Sequence, residues 1–335
     1  MSDKLEPLEP EEGLQLYLDK REPNVAESTY RAHRIRLSHF IRWCDEEGID
    51  NLNEISGRDL HRYRIWRRDE GKLNRVSVRT QMSTLRCFVS FCADVNAMSD
   101  GIRDAVDVPE LERGENSREV MLEEERVGEI LERLRKYDYA SLRHVLIRVL
   151  WVTGCRLGGV RLLDVKDVNT AGETPSIEFR HRPETGTPLK NKQSGERVVS
   201  IDGTTAQILK DWIQDKRPDE TDEYGRDPLL STTHGRIGKT TIRRHVYVAT
   251  SPGFVGRNCT CDTDEHEPSN LRKCDDSVSP HALRRSSLTA MLRRGNSDSL
   301  VGDRADVSTD ILSKHYDEMT ADEKMIHRRE EMDWI

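Results

Sequence analysis

Residues 109–119, PELERGENSRE, hold almost no apolar side chain, and helical apolar periodicity stops before them and resumes after them. A polar stretch of this kind, with Gly114, Asn116 and Ser117 in its backbone, has nothing to bury and cannot run through a hydrophobic interior. The chain must therefore build one core before the stretch and another after it. A length of 335 residues agrees with two domains. We place a helical domain at residues 10–105, a linker at 106–120 and a second domain at 121–335.

The first domain reads as helices throughout. Glu11–Lys20 carries Leu14, Leu16 and Leu18 and stops near Pro23, and Ser28 is placed to cap a longer helix with Ile35, Phe40, Ile41 and Trp43 that runs up to Gly48. Ser56 opens a third helix, and Ser77–Val95 sets Val78, Met82, Leu85, Val89 and Cys92 on one stripe. In the second domain Val127, Ile130, Leu131 and Leu134, then Leu142, Val145, Leu146, Val149 and Leu150, give two amphipathic helices. Ser176–His181 and Arg197–Ile201 alternate apolar and polar residues as strands do, and the Gly- and Lys-containing segment between them reads as a hairpin connection. Helical pattern returns at Thr204–Lys216, Thr240–Val248, His281–Arg294 and Thr309–Tyr316. The expected fold is mainly α with a small antiparallel sheet: a helical domain followed by a mixed α+β domain.

Hydrophobic residues make up 35% and aromatics 5% against 34% charged, so the cores are thin and the surface heavily charged. The longest apolar run, Val145–Thr153, is short and broken by Arg148, which excludes a membrane span, and the opening MSDKLEPLEPEEG lacks the basic and apolar regions of a signal peptide. We expect a cytoplasmic protein with no membrane partner. Of its seven cysteines, Cys44, Cys87, Cys92 and Cys155 sit in apolar helical contexts while Cys259, Cys261 and Cys274 crowd into one polar loop, and disulfides are not expected in that compartment. The net charge of -8 hides a sharp unevenness. Residues 31–86 carry 13 basic and 8 acidic side chains, and 279–295 contains Arg284, Arg285, Arg293 and Arg294 with no acid. Basic segments on an acidic body mark a polyanion-binding face. Only 13 of the 53 basic residues are lysines, a bias associated with salt-adapted cytosols.

Three separated segments carry candidate chemistry. They are TGCRLGGVRLLDVKDV with Arg156, HALRRSSLTAMLRRG with His281 and Arg284, and DILSKHYDEM with Tyr316. His-x-x-Arg occurs four times in the chain, so order and spacing decide. Thr153-Gly154-Cys155-Arg156, a lysine in a hairpin, His281-x-x-Arg284 and Tyr316, which lies 35 residues after His281, follow one another in an order that resembles the tyrosine recombinase (phage integrase) family. The wording HRPETGTPLKNKQSGERVV and DILSKHYDE is similar to its archaeal, halophile-type branch.

The resemblance implies a DNA-clamping amino-terminal domain, a catalytic second domain, and breakage and rejoining of double-stranded DNA through a 3′-phosphotyrosine intermediate. It also implies four protomers on two DNA sites and no cofactor for the chemistry. Two guanidiniums, Arg156 and Arg284, would clamp the phosphate oxygens on which charge develops. Tyr316 would be the nucleophile, since a phenol of pKa about 10 is a leaving group good enough to keep the linkage reversible. His281 would stand beside the phosphate, and a hairpin lysine would protonate the departing 5′ oxygen, with Lys192 favoured by the count from Arg197-Val198 and Lys190 as the alternative. Arg31, Arg34, Arg62, Arg67 and Arg79 would meet DNA phosphates from the first domain. A terminal helix with Met325, Ile326, Met332 and Trp334 would dock on the neighbouring protomer.

Two positions depart from the family's pattern. Gly159 stands where an acidic residue is usual, and Val307 where a His or Trp is usual. They favour, as alternatives, a catalytically silent DNA-binding protein on the same fold; a type IB topoisomerase-like relaxing enzyme is the other rival. Separately, Cys259, Cys261, His266 and Cys274 lie within 16 residues and can close a tetrahedral structural zinc site, with free thiols on an insertion as the competing reading.

Overall fold

The computed structural model describes residues 5–112, 121–259, 271, 274 and 276–312, and the chain divides into two compact units, Met1–Glu119 and Val120–Ile335. Among the described residues, both the mainly helical character and the small antiparallel sheet expected from the sequence are present. No helix there is long and apolar enough to cross a membrane.

The first unit is built on α1 (Pro10–Arg21), α2 (Glu27–Glu47), α3 (Gly57–Glu70) and α4 (Arg75–Asp94). Local chemistry sets their ends. α1 opens on Pro10 with Glu11 and Glu12 in its first turn, where acid complements the helix dipole. α2 stops at Gly48, whose φ of 72° is the left-handed cap that glycine adopts at little cost. Ser56 and Asp59 close a capping box on α3. Two starts differ from expectation. α2 begins at Glu27 after Ala26, so Ser28 lies within the first turn, and α4 is capped by Asn74, whose side chain accepts from the Ser77 amide at 2.9 Å. Inside, Phe40, Trp43, Tyr63 and Phe88 are almost fully buried, and Phe40 meets Tyr63 edge-on at 5.0 Å. A small aromatic allotment is thus concentrated where it buries most area per residue.

The second unit is centred on α6 (Leu142–Thr153), whose Val145, Leu146, Val149 and Leu150 are inaccessible. It is wrapped by α5 (Glu124–Tyr137), α9 (Lys239–Thr250) and α10 (Pro280–Arg293). α7 (Leu157–Leu162), α8 (Gly203–Asp211) and α11 (Asp298–Ala305) complete the helices, and residues 309–312 begin a further helical turn. The sheet orders β1 (Val168–Asn169), β2 (Ser176–Phe179) and β3 (Arg197–Ser200) antiparallel, with Ile177 opposite Val199 and Phe179 opposite Arg197. Ile177 and Phe179 point into the core, and the alternation that marked β2 and β3 in the sequence is the alternation of this burial. A two-stranded β4 (Ser231–Thr232) and β5 (Gly235–Arg236) was not foreseen, nor were β1, α7 and α11, all of which are too short to show a period.

A buried ionic cluster ties the base of the β2–β3 connection to the rest of the unit. Asp164, 1% exposed, accepts from Arg236 at 2.5 Å and pairs with Arg182 at 3.3 Å; Arg182 also donates to Asp167, and Arg236 to Asp222. Burial alone would raise the Asp222 carboxyl, but the Arg226 and Tyr224 amides and the Arg236 guanidinium outweigh it and hold the pKa at about 2. A carboxylate depressed in this way stabilises the fold above its unfolded pKa and loses that contribution as pH falls toward 2. Asp222→Asn should therefore lower stability on the order of 2 kcal/mol at pH 7. In urea titrations, the gap between variant and parent should close between about pH 4 and pH 2. A gap that does not change with pH would assign the loss to packing.

Candidate active site

Arg156 is positioned by the way α6 ends. Gly154 takes φ 58° there, and a Cβ on it would meet Leu288 at 3.2 Å and both Ala305 and the Ser287 hydroxyl at 3.4 Å. The turn thus needs glycine for its dihedral and for its closeness to α10 and α11. Thr153 returns its hydroxyl to the Val149 carbonyl at 2.7 Å and accepts from the Cys155 amide. Arg156 then falls at the N-cap of α7, half-buried and aimed back toward the end of α11.

What it meets is Asp306. Arg156 donates to the Asp306 carboxylate at 2.5 Å, and the Asn191 amide donates to the other oxygen at 2.7 Å. Arg284, 5% exposed on α10, donates to the backbone carbonyls of Ala305 at 2.9 Å and Asp306 at 3.3 Å. Its pKa is drawn down to about 10, first by burial and then by the Arg156 charge. Arg197 on β3 lies over the Phe179 ring at 4.1 Å and donates to the Gly195 and Arg304 carbonyls. Burial likewise depresses its pKa, while the Asp306 charge opposes the shift. Three guanidiniums therefore share one carboxylate, and two of them hydrogen-bond only to neutral carbonyls among the described residues. Such a pocket is short of negative charge.

His281 sits in the first turn of α10, after Pro280 and the Ser279 cap. Partial burial, then Arg284, Arg285, Lys190 and Arg156, lower its pKa, so the imidazole is neutral near pH 7. Of the two hairpin lysines, Lys190 is among the charges that lower the His281 pKa, and Lys192 takes φ 53° in the turn Lys192–Gly195. Both are exposed. Tyr316, Cys261 and His266 lie outside the described residues. Cys259 and Cys274 come together, with their sulfurs 3.4 Å apart.

The two departures resolve into one arrangement. At Gly159 a Cβ would crowd Cys155 at 3.3 Å and touch the Phe179 ring at 3.5 Å, so an acid there would meet an apolar wall. Val307 packs with Leu288, Leu292 and Val301, away from the clamp. The acid that faces Arg156 comes from the adjacent Asp306 instead. Sequence reading passed over it, although the clue was available: an aspartate beside the position where the usual donor is missing.

Residues 14–94 match the phage integrase N-terminal SAM-like domain, and residues 120–316, more than half of the chain, match the phage integrase family. The chain belongs to the phage integrase family. A probable integrase/recombinase protein of Methanocaldococcus jannaschii is 23% identical over 246 residues, covering 71% of this chain and 70% of that one. Tyrosine recombinase XerC of Herpetosiphon aurantiacus is 22% identical over 300 residues, covering 88% and 86%. Among solved structures, the XerH recombinase bound to palindromic difH after cleavage superposes with a TM-score of 0.64 at 15% identity, covering 92% of this chain and 82% of that one. The Tn1549 transposon integrase with circular-intermediate DNA gives 0.67 at 13%, covering 95% and 98%. At those identities the structures speak for the fold. Family membership makes the chain a tyrosine recombinase, an enzyme that cleaves and rejoins DNA, and neither the silent nor the relaxing-enzyme reading is favoured.

In the amino-terminal unit of this family member, Arg67 is buried against Glu70, and Arg31 and Arg62 are paired with Glu27 and Glu47. Arg36 and Arg79 instead line a concavity of about 310 Å³ with His33, Thr80, Thr84 and Cys87, and neither has a carboxylate partner among the described residues. Burial removes Arg67 from the set expected to face a polyanion; sequence pattern alone could not separate it from its neighbours.

Asp306→Asn keeps a residue tolerant of the left-handed backbone while removing the charge that three guanidiniums share. Its stability should fall by about 1–2 kcal/mol. Sulfate at millimolar concentration should recover more of that loss than chloride at equal ionic strength. Equal recovery by both salts would mean that Asp306 is not the counter-ion.

Proposed function

We propose that this recombinase cleaves DNA by in-line attack of the Tyr316 phenol oxygen, its proton passing to solvent, on a phosphodiester held between Arg156 and Arg284. The Tyr316–phosphorus bond forms as the bond to the 5′ oxygen breaks, the 3′ phosphate stays on the protein, and the 5′ oxygen leaves as a hydroxyl after taking a proton from a hairpin lysine. A second 5′ hydroxyl reverses the step, so the phosphodiester energy is conserved without ATP or metal. The observation that carries this reading is the Arg156–Arg284 pair itself. Arg284 is buried on neutral carbonyls, and Arg156 engages Asp306 through one nitrogen, Nη1, among the described residues. Neutral His281 at the rim can donate to a phosphate oxygen.

The amino-terminal unit would add phosphate contacts through Arg36 and Arg79, with Arg34 beside them in sequence. The archaeal relative and the arginine-over-lysine bias support an archaeal, salt-adapted branch acting in the cytoplasm. Assembly of several protomers is supported by the apolar anchors of residues 317–335, which suit a groove of about 530 Å³ lined by Trp151, Met291 and Leu300.

Nicked suicide duplexes that trap the covalent adduct test the chemistry. Tyr316→Phe should abolish adduct with DNA affinity nearly unchanged, and Arg156→Ala or Arg284→Ala should slow cleavage by about 10² to 10³. Adduct from the Tyr316→Phe protein would remove the nucleophile assignment. Lys192→Ala and Lys190→Ala separate the two candidate acids: the variant that fails on ordinary DNA but cleaves a 5′-bridging phosphorothiolate, whose thiolate leaves without a proton, has lost the donor. Truncation after Asp317 should preserve single-site cleavage and abolish higher-order complexes on native gels; unchanged complexes would count against tail docking.

A further inference from the structure

The segment that feeds α10 carries a cluster which the phosphate chemistry does not use. Cys259 follows the short helix Pro252–Val255, and Cys274 and Asp276 lie just before the Ser279 cap. Their ligand atoms lie within 4.8 Å of one another: the two sulfurs are 3.4 Å apart, and Cys259 Sγ is 3.6 Å from Asp276 Oδ2. Cys274 is inaccessible and Cys259 half-buried. A disulfide requires about 2.05 Å between sulfurs, so this separation is that of two thiols. Tetrahedral zinc, with bonds of about 2.3 Å to sulfur and 2.1 Å to oxygen, sets neighbouring ligands about 3.8 Å apart for two sulfurs and 3.6 Å for sulfur and oxygen.

We propose that Cys259, Cys274 and Asp276 hold a structural zinc ion. Asp276 is the ligand that the spacing of cysteines and histidine did not indicate. Binding would release the two thiol protons to solvent and form two zinc–sulfur bonds, with no change of oxidation state. The charge balance fits. Two thiolates and a carboxylate exceed the zinc charge by one, and Arg126, half-buried, donates to the Asp276 carbonyl at 3.1 Å. The surroundings are also anchored. Val278 donates to the Thr250 hydroxyl at 3.0 Å, and Arg126 bonds the Thr250 carbonyl at 2.7 Å, so the metal would join the end of α9 to the start of α10. That start bears His281 and Arg284, which gives zinc a positioning role without contact to DNA.

The full chain, purified without chelator or added metal, should contain about one zinc per molecule by elemental analysis. Exchange with cobalt(II) should give a thiolate-to-cobalt charge-transfer band. Cys274→Ser and Asp276→Asn should each weaken zinc affinity by more than about 10²-fold, since loss of an outer-shell partner already costs 10- to 100-fold. Cys259→Ser, at the more exposed position, serves if Cys274→Ser fails to fold. Chelation of the parent should increase proteolysis between residues 259 and 279 with helicity retained. Metal-free protein that takes up no cobalt would overturn the site, as would an intact mass showing a Cys259–Cys274 disulfide. None of these readings depends on DNA cleavage, so they stand or fall apart from the recombinase chemistry.

Discussion

The Asp306 carboxylate organises the catalytic unit. It meets Arg156 through one oxygen and Asn191 through the other, while its backbone carbonyl accepts from Arg284. Those partners come from the α6–α7 corner, the β2–β3 connection and α10, which are far apart in sequence. Held together without a counter-charge, Arg156, Arg284 and Arg197 would repel one another in a medium that screens poorly. One negative group is enough to assemble them and too little to neutralise them. The remaining positive charge is what an incoming phosphodiester would meet.

Rigid supports keep this residual charge in place. α6 is buried along its length and ends in a glycine turn with no room for a side chain, so Arg156 cannot drift from α10. Arg304 reinforces the corner by donating to the Val152 carbonyl at 2.9 Å and the Ser200 carbonyl at 2.8 Å, which ties α11 to α6 and β3. By contrast, the segment with Lys190 and Lys192 is exposed and joined to the clamp through Asn191. A buried arginine pair beside an exposed lysine-bearing segment is the arrangement that the cleavage proposed above calls for.

Much of this was legible in the residues, for identifiable reasons. Long helices announce themselves by period, and α2, α4, α5 and α6 carry apolar stripes that only one face can bury. The strands β2 and β3 alternate because one side of a three-stranded sheet is covered. Arg156, His281 and Arg284 were found by order and spacing, and the structure brings the three together. Asp306 was not found, because it meets Arg156 from a distant segment, and its place beside Val307 gains meaning only once that contact is seen. Arg67 was misjudged for the converse reason. A buried arginine and an exposed one look alike in a basic helix, and only packing tells them apart.

The two departures from the family's pattern follow from the same packing. Phe179 faces Gly159 and also supports the Arg197 guanidinium, so an acid at 159 would crowd Cys155 and lie against the ring that carries a third positive charge. An acid must then enter from elsewhere, and the left-handed residue after α11 is the place where an aspartate can turn back into the pocket at small backbone cost. Once Asp306 occupies that turn, position 307 points into the apolar cluster of α10 and α11, where valine fits and a charged donor would be buried unpaired. His281 is left as the one imidazole at the clamp among the described residues, and burial, then the cations around it, lower its pKa. A phosphate bound among those cations would oppose that shift and so favour the donating form of the histidine.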